Sequence, residues 1–267
     1  MANTAQPVGV FDSGVGGLTV VNKLRHLLPH EDIVYLGDTR RNPYGIRTRE
    51  EILSFTREII AFLAGQHVKL IAFACNTATA TAYDTVINET DIPLLGMSRG
   101  IKTAKDTTTE KRIAVFATPL TIANHIHKKE AEKTDPFLTI VEQPCASLAG
   151  LIERGKLDGP EIREAVRDDV APVLKARVDT AIFGCTHYPF VRHIFEEFCG
   201  ESVVFVDPAH ETALQTLAVL KKKNLLNTQR RPGYLHLCFT AEAGRGAALA
   251  SELISPEEFT AAEVSLT

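Results

Sequence analysis

Two cysteines stand where a fold can use them. Cys75 ends the apolar run Leu70 to Ala74 and is followed by Asn76 and Thr77; Cys185 ends Ala181 to Gly184 and is followed by Thr186 and His187. Each pattern reads as a buried strand that delivers a thiol to its C-terminal end, where open α/β sheets hold their ligands. A free thiol titrates near about 8.5 and falls beside a cation or a helix N-terminus, so it can act as base or acid close to neutrality. Racemisation at a carbon acid needs a base on one face and an acid on the other, exchanging roles with direction. A lone buried cysteine is commonly a small apolar residue. It is the matched pair, with polar neighbours, that points to chemistry.

Other groups gather at the same strand ends. His187 can assist proton transfer at the second thiol or orient it, or be an ordinary hydrogen-bonded loop histidine. Asp12 and Ser13 close the first strand and can hold an ammonium and a carboxylate, although Asp12 could equally cap the following helix. Gly14, Gly16 and Gly17 would let the backbone approach an anion at a helix start. The run is not G-x-G-x-x-G, however, and Gly150 to Lys156 fails as a P-loop because Leu157 replaces the required Ser or Thr. The pairs His26/His30 and His125/His127 lack acidic companions, so no metal is expected. No lysine stands in a context that singles it out for a Schiff base, and pyridoxal phosphate is neither implied nor excluded by that.

The elements that must position these groups alternate between strand and helix. Strands are expected over Pro7 to Phe11, Asp32 to Leu36, Val68 to Ala74, Ile92 to Leu95, Arg112 to Ala117, Leu138 to Glu142, Thr180 to Phe183, Val203 to Val206 and Tyr234 to Phe239. Helices are expected between them, among them Leu18 to Leu28, Glu50 to Gln66, Thr77 to Glu89, Pro160 to Ala176 and Ala209 to Lys222. One runs from Thr121 to about Lys133. Asp158 with Glu161 resembles a capping box, with Pro160 at the first helical position. A short helix and a polar tail should follow Phe239. The fold class is α/β with parallel sheets. A weak internal repeat relates Val8 to Thr19 with Ile113 to Thr121, and Phe73 to Thr77 with Phe183 to His187. It implies two similar α/β domains facing each other across a central cleft and joined near Leu95 to Lys102. The first would comprise residues 1–97 plus 209–267 and the second residues 98–208.

Composition excludes several classes. With 267 residues, 45% hydrophobic and 23% charged, the chain is an ordinary globular sequence. A net charge of −4 offers no electrostatic reason to bind nucleic acid or an anionic membrane. No apolar stretch reaches the roughly 20 residues of a membrane span. Met1 to Pro7 lacks the features of an export signal. The five cysteines are scattered and form no C-x-x-C pair, so reduced thiols and a cytoplasmic location are expected.

Val10 to Val20, Tyr35 to Thr39, Pro43 to Gly45, Ala74 to Thr77 and Gly184 to Pro189 together resemble the cofactor-independent glutamate racemases of the aspartate/glutamate racemase superfamily. The resemblance covers most of the chain and weakens after Thr212. It implies that Cys75 takes the α-proton from the D-amino acid and Cys185 from the L-amino acid. Asp12 would assist at the first thiol and His187 at the second, with Glu153 as a further acidic residue near the latter. Ser13, Asn76, Thr77, Thr118, Thr121 and Thr186 match positions that bind the α-amino and α-carboxylate groups. Pro43, Tyr44 and Gly45 match a loop that holds the side-chain carboxylate with backbone donors. The same resemblance implies a homodimer, no cofactor, glutamate as substrate and a supply of D-glutamate to bacterial peptidoglycan synthesis. Two departures stand out: Met97-Ser98-Arg99-Gly100 at the inferred joint, and Ala117 where the family usually has glycine. An aspartate or related dicarboxylate racemase, a non-catalytic two-lobed binding module and a thiol redox switch are the competing readings.

Overall fold

The computed structural model describes residues 3–254 and 258–266. Met1 and Ala2 of the N-terminal segment, and Thr267 at the end of the tail, lie outside the described residues. The chain divides into two compact units, Met1–Met97 with Ala209–Thr267 and Ser98–Pro208.

The first unit holds a six-stranded sheet. Its strands are β1 (Val8–Asp12), β2 (Ile33–Gly37), β3 (Leu70–Phe73), β4 (Leu94–Leu95) and, from the end of the chain, β9 (Leu235–Phe239) and β10 (Thr260–Glu263). The order is β10-β9-β2-β1-β3-β4, and every pairing is parallel. β1, β2 and β3 are buried at every residue, as apolar runs of this kind must be when helices cover both faces. Helices Leu18–Leu27 and Ala209–Lys222 pack together over one face, with Leu18, Val21, Leu24, Ala213 and Leu220 in the core.

The second unit carries β5 (Arg112–Ala117), β6 (Thr139–Pro144), β7 (Thr180–Gly184) and β8 (Val204–Val206) in the order β6-β5-β7-β8, again all parallel. Its core is aromatic: Phe116, Phe183 and Phe205 surround Phe195, with ring centroids 5.0, 5.2 and 5.8 Å from it. Helices Leu148–Glu153, Pro160–Lys175 and Arg192–Cys199 complete this layer. Among the described residues no helix is long and apolar enough to cross a membrane.

Several local expectations change. The helix expected over Thr77 to Glu89 is two pieces, Asn76–Thr81 and Tyr83–Val86, and that expected to Lys133 is also two, Pro119–Ala123 and Ile126–Thr134. In the second case His125, at φ 51°, turns the chain between them. Asp158 forms no capping box, because Gly159 (φ 106°) occupies the cap; the Asp158 carboxylate accepts instead from Gly159 N and Arg163 Nε. A full capping box exists instead at Thr48 and Glu51. The tail contains β10, which parallel pairing to β9 creates despite the weakly apolar sequence Thr-Ala-Ala-Glu. A further helix, Ile101–Thr107, lies between β4 and β5.

Candidate functional site

Within the first unit, sheet register gathers the predicted residues. Phe11 pairs with Phe73, and Ala74 N donates to Phe11 O at 2.8 Å, so Asp12-Ser13 and Cys75-Asn76 leave neighbouring strands at the same edge. Adjacent strands lie about 4.8 Å apart, which is the scale of a small ligand. β2 ends beside them, since Asp12 pairs with Gly37 and Asp38 N donates to Asp12 O at 2.9 Å.

Cys75 is 4% exposed, and its Sγ accepts from Ala78 N at 3.4 Å at the start of helix Asn76–Thr81. A backbone donor aimed at sulfur favours the thiolate. Asp12 is fully buried, and its Oδ2 accepts from Gly17 N at 2.9 Å, so one carboxylate oxygen is committed to the start of helix Leu18–Leu27. Gly17 serves close packing here. A Cβ at this position would lie 2.7 Å from Asp12 Cβ and 3.0 Å from Ala74 Cβ.

Asn76 is 3% exposed, and neither its amide nitrogen nor its amide oxygen finds a partner among the described residues. A buried amide left this way is costly unless a guest supplies partners. Thr77 is buried beside it. Asn42 Nδ2 donates to Ser13 O at 3.1 Å, tying the loop after β2 to the end of β1. In that loop Asn42–Pro43 is a cis peptide bond and Tyr44–Ile46 forms a single 3-10 turn. The Tyr44 hydroxyl donates to Asp38 Oδ2 at 2.5 Å, so this phenol is occupied and the backbone of the turn is what it can offer a ligand. Burial, and then the charge of Asp38, push the Tyr44 phenol well above its usual range, so it stays protonated.

In the second unit Ala117 pairs with Gly184, which places Thr118 and Cys185 at one sheet edge. Gly184 accommodates the methyl of Ala117, since a Cβ there would lie 2.9 Å from it. Cys185, Thr186 and His187 are all buried. His187 Nδ1 lies 3.7 Å from Cys185 Sγ, and His187 Nε2 lies 2.7 Å from Glu153 Oε1 at the end of helix Leu148–Glu153. Glu153 therefore orients the histidine from behind. Burial presses the imidazole toward neutrality, but the bonds and charges of Cys185 and Glu153 outweigh it and hold His187 well above its usual pKa. Thr118 caps helix Pro119–Ala123, accepting from Thr121 N at 3.4 Å, with the two hydroxyl oxygens 3.0 Å apart.

Burial, reinforced by Asp169, pushes the Cys145 thiol well up, and burial lifts Cys199 and Cys238 to about 11. All five are unbridged. Among the described residues no group of three or more His, Cys, Asp or Glu is placed to hold a metal ion. Sequence reasoning passed over Asp38, whose buried carboxylate receives three side-chain donors. Its one legible signal was an acid directly after a buried strand, beside the Asp12 edge.

Known proteins resemble this chain over nearly its whole length. The family described as Asp/Glu/Hydantoin racemase matches residues 17–216. A glutamate racemase of Lactobacillus helveticus is 38% identical over 260 residues, covering 97% of each chain. One from Herpetosiphon aurantiacus is 42% identical over 228 residues, covering 85% of this chain and 90% of its own. Among solved structures, the glutamate racemase isoform RacE1 of Bacillus anthracis superposes with a TM-score of 0.92 at 31% identity, covering 99% of both chains. That of Francisella tularensis, solved with D-glutamate, gives 0.88 at 30% identity and 98% of both.

Proposed function

This chain belongs to the Asp/Glu/Hydantoin racemase family, and from that premise we propose that it interconverts L- and D-glutamate by two-base proton transfer at Cα. Glutamate racemase activity is shared by the relatives and solved structures that match it nearly end to end. The mechanism is our reading. One observation carries it: Cys75 and Cys185 each follow a strand end and have a nitrogen within hydrogen-bond reach of sulfur, Ala78 N at 3.4 Å for one and His187 Nδ1 at 3.7 Å for the other.

Cys75 removes the α-proton of the D-enantiomer and Cys185 that of the L-enantiomer, the opposite thiol returning a proton each time. Before each turnover one sulfur is thiolate and the other thiol. Asp12 supports proton movement at Cys75, and His187, oriented by Glu153, does so at Cys185. Negative charge develops on the α-carboxylate as the proton leaves, and hydrogen-bond donors there lower the barrier. Ser13, Asn76, Thr77, Thr118, Thr121 and Thr186 supply the polar surroundings for the α-substituents, and the amide of buried Asn76, without a partner among the described residues, fits that role best. The backbone of Pro43, Tyr44 and Gly45 receives the side-chain carboxylate. We place the enzyme in the cytoplasm as a homodimer that needs no cofactor and supplies D-glutamate for peptidoglycan, as its family resemblance implies.

The test is loss of optical rotation with D-glutamate in deuterium oxide, without added pyridoxal phosphate or metal. Deuterium should enter the product at Cα, and Cys75→Ala and Cys185→Ala should each lower kcat by at least about 10³-fold, some 4 kcal/mol of barrier. Full racemisation by either variant would sink the two-base mechanism, and a panel including aspartate would expose a different substrate preference.

A further inference from the structure

Asp38 and Thr240 are joined in a contact that the reaction itself does not use. Asp38 is fully buried at the end of β2 and Thr240, 4% exposed, follows the end of β9. The two strands are neighbours in register, and Thr240 N donates to Gly37 O at 3.1 Å. Thr240 Oγ1 donates to Asp38 Oδ1 at 2.9 Å and accepts from Arg40 N at 2.9 Å. The other carboxylate oxygen of Asp38 takes the Tyr44 hydroxyl at 2.5 Å and Arg41 Nε at 2.6 Å. Arg41 reaches on to Glu58 at 2.6 Å and lies over the Phe55 ring, while Arg47 Nε donates to Arg41 O at 3.2 Å. Tyr44 is thus fixed from beneath by a carboxylate whose own orientation depends on a hydroxyl from the far end of the chain.

We propose that Thr240 is a positioning residue for side-chain recognition, acting through Asp38 to hold the Pro43-Tyr44-Gly45 turn in its ligand-binding form. This rests on the reading that the turn receives the substrate's side-chain carboxylate. Backbone donors bind an anion well only when they are already aimed, because aiming them on binding costs affinity. A carboxylate fixed on both oxygens has one orientation. Without the threonine hydroxyl, Asp38 can rotate, Arg40 N loses its acceptor, and the Tyr44 hydroxyl follows a moving partner. The loss falls on binding that ground state and transition state share, since the side-chain carboxylate held by the turn keeps its charge throughout the reaction, so KM should rise with little change in kcat.

Thr240→Val removes the hydroxyl at nearly constant volume, and Thr240→Ser keeps it. The proposal expects the valine variant to raise KM for glutamate about tenfold, the scale of one lost hydrogen bond to a charged group, with kcat within about twofold. The serine variant should recover most of the wild-type KM. Asp38→Asn, which retains size but weakens the Arg41 and Tyr44 contacts, should raise KM in the same way and serves if the valine variant does not fold. An unchanged KM in the valine variant overturns the proposal, as does a fall in kcat at constant KM, or equal impairment of the valine and serine variants. Wild-type turnover separates the two levels. Racemisation of glutamate with an indifferent Thr240 removes only the anchor, whereas no turnover of glutamate by the wild type removes the substrate reading and the anchor with it.

Discussion

Within hydrogen-bond reach of the Cys185 thiol stands His187. The imidazole is clamped between sulfur at 3.7 Å and Glu153 at 2.7 Å, in a buried setting where a charge survives only if paired. Its folded pKa lies above the unfolded value of about 6.5, so the native state binds the extra proton between the two values. The stability that this contributes is fully present below about 6.5 and is lost as pH rises through the folded pKa. Glu153→Gln should therefore bring the His187 titration down toward its ordinary range, read from its imidazole proton shifts by NMR. It should also flatten the fall in stability on the alkaline side. An unmoved titration would mean that Glu153 does not control the histidine. Cys185 and His187 are legible as neighbours two residues apart, and the family resemblance put Glu153 near that thiol, whereas the bond from Glu153 to His187 needed the helix Leu148–Glu153 to pack against the turn at Tyr188–Val191.

Strand ends and helix starts do the positioning at the next scale. The glycines after Asp12 read in sequence as an approach path for an anion, but Gly17 answers to packing between β1, β2 and β3. Its α-hydrogen faces Asp12 Cβ, the Tyr35 ring and the Ala74 methyl, each at 3.0 Å or less from where a Cβ would stand. Gly17→Ala must push Asp12 or Ala74 aside, and Ala74 directly precedes Cys75. Overpacking of this kind costs about 1–3 kcal/mol, so the melting temperature should fall by several degrees, with a larger proportional loss of kcat than of stability. A stable variant with full activity would show that the strand ends tolerate the shift. The capping residues tell the same story: Thr48 and Glu51 close a full box, while Asp158 and Glu161, with similar letters, do not. Gly159 adopts a positive φ that carries the chain past the geometry a box requires.

Acid stability is a property of each whole unit, and His127 concentrates it in the second. The ring is fully buried, and neither nitrogen has a hydrogen-bond partner among the described residues. Burial, with Arg99 adding repulsion, lowers its pKa to about 3. The unfolded chain takes up this proton near 6.5 and the folded chain does not until about 3, so stability falls as pH drops through that window. His127→Leu should keep or raise the melting temperature at pH 7 and lessen the loss between pH 6.5 and 4, followed by urea unfolding at a series of pH values. A steeper acid loss in the variant would contradict this assignment. The sequence by itself determined the α/β class, the strands that carry Cys75 and Cys185, and the polar residues beside them, because apolar runs, turn residues and strand-end chemistry are local. Tertiary structure alone decided that β9 pairs with β2 and β10 with β9, that Glu153 bonds His187 Nε2, and that Asp38 joins Thr240 to Tyr44. Those contacts pair residues far apart in the chain, and parallel register and burial select them, neither of which leaves a signature in neighbouring letters.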